Sequence, residues 1–283
     1  MRRRDFIAAS GVAATAALAP AQFPIPRKGR LKQSAMTRNF NPAMSFEDMC
    51  LEAVRLGLKG FDTPADANWP ILRKYGLIPT LSLATATPLP FRDGIVRKEI
   101  HDRIEPIMRA DIDRCATGGC PTVGVAGGQR LGMSYEEGAD NCVAFFNRVK
   151  AHAEDKGITI VIEIQSRFDR PDQVCDHVAW GAEVCRRVNS PRVRLLFDIY
   201  HVQVMDGDIC RNIQENFQWI AHFHAGGVPG RHEIDGTQEL NYGFIAKTIA
   251  DLGYTGYIGH EWTPAAGRDP IRSLTEAVAI LDA

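Results

Sequence analysis

Between residues 33 and 283 the chain alternates short apolar runs with longer amphipathic segments, eight times over. Extended candidates lie at 33–38, 59–62, 78–83, 121–126, 158–163, 193–198, 219–224 and 256–261. Helical periodicity fits 45–57, 67–76, 95–117, 134–155, 171–188, 206–217, 242–252 and 268–281. Ser45 ahead of Glu47 and Asp48, and Ser134 three before Glu137, mark helix starts; Gly76, Gly157 and Gly253 mark stops just before strands. Eight strands alternating with eight helices predict an α/β fold of one domain, a closed (β/α)8 TIM barrel, for which roughly 250 residues are typical. No GxGxxG follows a strand, so an open dinucleotide-binding sheet would lack its phosphate cradle.

Four of these runs end on a residue that apolar burial should exclude. They are Glu163 after Ile160-Val161-Ile162, Asp198 after Leu195-Leu196-Phe197, His224 after His222-Phe223, and Glu261 after Gly259-His260. Burying such a group costs several kcal/mol unless it is paired or binds a metal. Side chains alternate along a strand, so Val161 shares a face with Glu163, Leu196 with Asp198, His222 with His224, and Gly259 with Glu261. The C-terminal ends of barrel strands are where active sites are built. Three carboxylates and one imidazole suit one divalent metal ion of the harder kind, Mn2+, Mg2+ or Co2+, with positions left open for substrate oxygens.

Composition narrows the partners. With 45% hydrophobic and 24% charged residues and a net charge of −1, the chain reads as globular, with no basic stripe for nucleic acid and no apolar run long enough to span a membrane. The expected partner is a small-molecule carbonyl or sugar substrate; assembly into a homo-oligomer is left open. Residues 1–21 are set apart: Arg2-Arg3-Arg4-Asp5-Phe6-Ile7, a weakly apolar Ala-rich run and Ala19-Pro20-Ala21 resemble a twin-arginine signal with its cleavage site. Export to the periplasm is expected, with 22–32 as an extended lead-in to the barrel. Seven cysteines with no CxxC pair are expected to be mostly free thiols in helical segments.

Longer motifs carry a resemblance. Leu195-Leu196-Phe197-Asp198-Ile199-Tyr200-His201 with Asp206-Gly207-Asp208, Val228-Pro229-Gly230-Arg231-His232-Glu233, Glu163 with Asp169-Arg170-Pro171, and Gly259-His260-Glu261 resemble segments of the hydroxypyruvate isomerase family, one of the xylose isomerase-like barrels. The resemblance implies a divalent ion on Glu163, Asp198, His224 and Glu261, with Glu163 and Glu261 also moving protons through an enediolate. It implies that His201 meets a substrate hydroxyl and that Arg231 meets an anionic or hydroxyl-rich end. His224 stands where hydroxypyruvate isomerases usually carry Gln, and there resembles the ketose 3-epimerase branch. Where the family often has a Glu-Tyr-Lys-Pro run, this chain has Glu261-Trp262-Thr263-Pro264, so a cation for a substrate carboxylate is missing. Epimerisation at carbon 3, elimination from a 3-keto-glycoside, and a non-catalytic metal- or sugar-binding barrel stay open.

Other residues have two readings each. Asp62, ending the second strand, either touches substrate or caps the following helix. His232 belongs to the Val228–Glu233 motif and is grouped with the substrate contacts. Trp262 is a candidate apolar wall of the pocket. His222, one layer below His224, is expected to support it, and His260 is expected to face the helices. Gly127-Gly128 admits either a ligand or a tight turn.

Overall fold

Eight parallel strands hydrogen-bond in chain order, and the last closes onto the first. They are β1 (Lys32–Ala35), β2 (Gly60–Asp62), β3 (Ile78–Leu83), β4 (Thr122–Val125), β5 (Thr159–Glu163), β6 (Val193–Asp198), β7 (Ile220–Ala225) and β8 (Tyr257–His260). This computed structural model describes residues 27–85 and 92–283. The expected signal segment 1–21 and residues 22–26 of the lead-in lie outside the described residues. Helices α1 (Phe46–Arg55), α2 (Trp69–Lys74), α3 (His101–Gly118), α4 (Tyr135–Lys156), α5 (Val178–Val188), α6 (Ile199–Met205), α7 (Ile209–Asn216), α8 (Tyr242–Asp251) and α9 (Pro270–Ile280) surround the sheet. Among the described residues, no helix is long and apolar enough to cross a membrane.

The period-two alternation separates two cores. Ile160, Ile162, Leu195, Phe197, Phe223 and Ile258 point outward and pack against the helices. Val161, Leu196 and Leu81 point inward with Ala221 and plug the barrel axis. The plug places a dry floor beneath the strand ends. Ser45 and Ser134 cap α1 and α4 through Asp48 N and Glu137 N, both at 3.1 Å. Gly157 stops α4 at φ 70°, a conformation that favours glycine. All seven cysteines are free thiols.

Three helix boundaries differ from the sequence expectation. The segment 206–217 yields only α7, because Gly207 and Asp208 adopt φ 63° and 43° and break the chain; α6 precedes it directly on β6. The segment 171–188 becomes helical only at Val178, since Asp172 lies at φ 61° and Gln173 bridges to Gln129. The segment 95–117 starts late because residues 92–96 are tied to the β4 loop, with Ile95 N on Ala126 O (3.2 Å) and Val96 N on Gly127 O (2.9 Å). A Cβ on Gly94 would lie 2.3 Å from Gly127 O, so the Gly127-Gly128 turn admits another backbone, not a ligand.

Candidate metal centre

Glu163 ends β5 and Asp198 ends β6; His224 is the penultimate residue of β7, and Glu261 lies one past β8. Parallel register sets Asp198 beside His224 and His224 beside Gly259. The four side chains therefore converge: each offers a ligand-type atom, and these atoms all lie within 4.8 Å of one another. His224 Nδ1 lies 3.5 Å from Glu163 Oε1 and in ion-pair contact with Glu261 Oε2. Both His224 Nδ1 and Glu261 Oε2 are buried and turned to one another. Two ligand-type atoms aimed at one point, joined by two more carboxylates, fit a small hard cation.

Each donor is held from behind. Asp198 caps α6 through Oδ1, accepting from Tyr200 N at 2.9 Å, which leaves Oδ2 facing the site. Gln165 donates to Glu163 Oε2. His224 turns Nε2 to Asp62 Oδ2 at 3.2 Å, so Nδ1 is the nitrogen presented to the centre. Asp62 also takes His222 Nε2 at 2.8 Å on Oδ2, and Ser34 Oγ at 2.9 Å and Thr80 Oγ1 on Oδ1. Gly259 makes room for this carboxylate: a Cβ there would stand 1.9 Å from Asp62 Oδ2.

The charges are strongly coupled. Burial disfavours a charged His224, but Glu261, Asp62 and Glu163 outweigh it and hold the imidazole well above its ordinary pKa. Burial likewise works against ionised Glu261, yet His224, Arg231 and Arg38 hold its carboxyl far below the usual range. Burial opposes a charged Asp62, and His222 and His224 outweigh it, so Asp62 stays ionised. Arg231 bonds Asp198 Oδ2 and lies 2.8 Å from Glu261 Oε2.

The other expected contacts are placed differently. Asp62 is 1% exposed and spends its carboxylate on two imidazoles and two hydroxyls; the expectation that it touches substrate is corrected to a buried support for His224. Trp262 is wholly buried in the helix-side core and donates to His260 Nδ1 at 3.3 Å, so it is not a pocket wall. One residue after Glu261, it takes the opposite face. His201, expected to meet a substrate hydroxyl, is buried beside the centre, with Arg231 Nη1 at 3.1 Å and Asp198 Oδ2 at 3.7 Å. His232 is exposed on its loop, its Nδ1 2.8 Å from Thr263 O, away from the cavity. Arg231 is half-buried among Asp198, Glu261 and His201, and its Nε also donates to Glu261 O at 3.1 Å. His260 faces the helices, where burial pushes it down to about 3, and bonds Gln33 Oε1 at 2.9 Å.

A cavity of about 210 Å3 opens over three of the four donors, Glu163, His224 and Glu261. Its walls are largely apolar (Met36, Leu81, Leu83, Ala84, Val125 and Leu196), and Glu163, His224, Glu261, Thr63 and Arg38 supply polar groups. Sequence reasoning missed Arg38, Thr63 and Gln165. Arg38 and Thr63 follow β1 and β2 closely, and that position was the available signal.

Residues 53–282 match the protein family described as the xylose isomerase-like TIM barrel. A 2-oxo-tetronate isomerase of Cupriavidus necator is 35% identical over 115 residues, 41% of this chain and 44% of that one. A Danio rerio protein provisionally named hydroxypyruvate isomerase is 32% identical over 140 residues, 49% of this chain and 50% of that one. These matches span half or less of the relatives' lengths. A 2-oxo-tetronate isomerase of Haemophilus influenzae is 28% identical over 250 residues, 81% of this chain and 92% of that one. Among solved structures, a family 2 AP endonuclease of Brucella melitensis superimposes with TM-score 0.78 at 22% identity, covering 86% of this chain and 96% of that one. The IOLI protein with a bound zinc atom gives TM-score 0.69 at 14% identity, covering 89% and 98%. At these identities the structural likeness establishes the fold.

Proposed function

The chain belongs to the xylose isomerase-like TIM barrel family, and from that premise we propose that it is a metal-dependent isomerase of small α-hydroxycarbonyl compounds. The convergence of Glu163, Asp198, His224 and Glu261, with His224 Nδ1 and Glu261 Oε2 buried and turned to one another, is the observation that carries the reading. The names of the relatives from Cupriavidus necator and Danio rerio support an aldehyde–ketone interconversion of the hydroxypyruvate isomerase type. When bound, a divalent ion such as Mn2+, Mg2+ or Co2+ would be held by those four residues and would stabilise negative charge developing on substrate oxygens.

The protein's own groups then divide the proton work. Glu261 sits between Arg38 and Arg231 and is a poor proton acceptor while those guanidiniums flank it. Glu163 has only the neutral Gln165 amide as a hydrogen-bond donor among the described residues and opens into the cavity. Glu163 takes the proton from the carbon beside the carbonyl, leaving an enediolate; the hydroxyl proton passes to the former carbonyl oxygen, and Glu163 returns its own proton to the neighbouring carbon. The leucine and valine walls exclude water that would otherwise protonate the enediolate at random. The same proton abstraction, returned to the opposite face, gives epimerisation at carbon 3 of a ketose; His224 in place of the family's usual Gln favours that second reading. The arginine-rich N-terminus supports export of the folded protein to the periplasm.

The test is isotope exchange in D2O with Mn2+-loaded protein, followed by NMR. Deuterium should enter hydroxypyruvate at the carbon adjacent to the carbonyl, and Glu163→Gln should slow exchange by roughly 10²–10⁴-fold. Exchange into a ketose but not into hydroxypyruvate would replace the isomerase by the epimerase.

A further inference from the structure

We propose that Arg38 is the receptor for a substrate carboxylate and that it selects 2-oxo acids over neutral ketoses; this rests on the isomerase reading above. Arg38 follows β1 in a short turn, Thr37–Asn39, and reaches the rim of the donor cluster. Its Nη2 donates to Glu261 Oε1 at 2.5 Å and lies 2.7 Å from Met36 Sδ. Among the described residues its Nε and Nη1 have no hydrogen-bond partner, and the side chain is 42% exposed. The Nε and Nη1 donors thus stay available at the rim of the donor cluster, on different edges of the guanidinium, and each can give a carboxylate oxygen one charge-assisted bond.

The remaining cations around the centre are committed. Arg231 is bonded to Asp198, Glu261 and His201. The lysine expected two residues past the last site carboxylate is Thr263 in this chain. Trp262 cannot serve, because it lies in the core. Arg38 is therefore the cation of the cavity lining with free donors, and the cavity otherwise offers few groups to a string of hydroxyls. Its walls are mostly leucine, valine and alanine, with Thr63 the one neutral hydroxyl among its lining residues. A polyol would leave hydroxyls unpaired there, whereas a short 2-oxo acid places its charge on Arg38 and its carbonyl and hydroxyl over the donors. The guanidinium also borders a neighbouring groove of about 560 Å3, which leaves it open to incoming solute.

Two substrates that differ only at the proposed contact provide the test. Hydroxypyruvate carries a carboxylate where dihydroxyacetone carries a CH2OH. Arg38→Gln should lower kcat/KM for hydroxypyruvate roughly 10- to 100-fold more than for dihydroxyacetone, whose smaller loss reports the Glu261 contact alone, and Arg38→Lys should restore part of the difference. Equal losses on both substrates would overturn the assignment and leave Arg38 as a support for Glu261. Pyruvate, which lacks the hydroxyl and cannot be isomerised, separates this idea from the catalytic reading. In calorimetric titration of protein saturated with Mn2+, Arg38→Gln should weaken pyruvate binding at least about tenfold. Unchanged pyruvate binding would sink the proposal, whether or not hydroxypyruvate turns over.

Discussion

Replacing Asp62 by asparagine removes one charge from beneath the donor cluster while keeping every atom position. Asp62 accepts Ser34 and Thr80 on one oxygen and His222 (2.8 Å) and His224 (3.2 Å) on the other. Asparagine can keep its oxygen toward the imidazoles and turn its NH2 toward the hydroxyls, which can rotate to accept. All four contacts survive without the carboxylate charge, and the two from the imidazoles weaken most. A charged hydrogen bond contributes about 1.5–3 kcal/mol and a neutral one about 0.5–1.5, so Asp62→Asn should cost about 2 kcal/mol in urea unfolding of the metal-free protein. The imidazole also becomes a weaker ligand at Nδ1, and Mn2+ affinity should fall roughly 10- to 100-fold by calorimetry. Asp62→Ala strands both imidazoles and both hydroxyls and should cost about 3–5 kcal/mol. If Asp62→Asn binds Mn2+ like wild type, or if alanine is no worse than asparagine, the orienting role of Asp62 is refuted.

Gly259→Ala attacks the same contact from the backbone. Its Cβ would stand 1.9 Å from Asp62 Oδ2 and 3.0 Å from His224 Cδ2, both buried, so the carboxylate must move. Thermal unfolding should show a loss of about 2 kcal/mol or more, and Mn2+ affinity should drop with it; a stable variant with intact affinity would mean the strand shifts instead. The pH dependence of metal-free protein follows from His224. Its folded pKa is raised above 6.5, so its stabilisation is complete below pH 6.5 and is lost as pH rises through the folded value. Urea midpoints of metal-free protein should therefore fall on the alkaline side, and Mn2+ should flatten the slope. Binding Mn2+ at neutral pH should release about one proton, measured from titration heats in buffers of different ionisation enthalpy; zero release would show that His224 is neutral beforehand.

The barrel was legible because burial on both faces imposes apolar strands, and helices between them keep their own period. The four donors were legible for the opposite reason, since an acid or imidazole ending an apolar strand has no structural excuse. Asp62 obeys the same pattern, and the pattern alone cannot tell a group that faces the cavity from one that holds a ligand in place. What distinguishes them is partners: Asp62 spends both oxygens on His222, His224, Ser34 and Thr80, which only the folded barrel brings together. Trp262 was readable after all. It follows Glu261 directly, so inward Glu261 puts Trp262 outward. Arg38 was not readable, because it lies in a three-residue turn that has no periodicity to place a side chain.

Charge balance explains why this centre tolerates four carboxylates in a half-dry mouth. Asp62, Glu163, Asp198 and Glu261 bring four negative charges above the Leu81–Val161–Leu196 plug. Arg38, Arg231 and a protonated His224 return three positive ones, by direct contact with Glu261 and Asp198. A divalent ion that displaces the His224 proton raises the positive total by one, which brings the set to neutrality. The surplus negative charge of the cluster is thus one unit, which favours a cation over an anion there. A substrate carboxylate would restore that surplus, and Arg38 has two unused donors to meet it. On this count, removing the arginine charge should weaken an anionic ligand more than a neutral one even if the geometry at Glu261 is undisturbed.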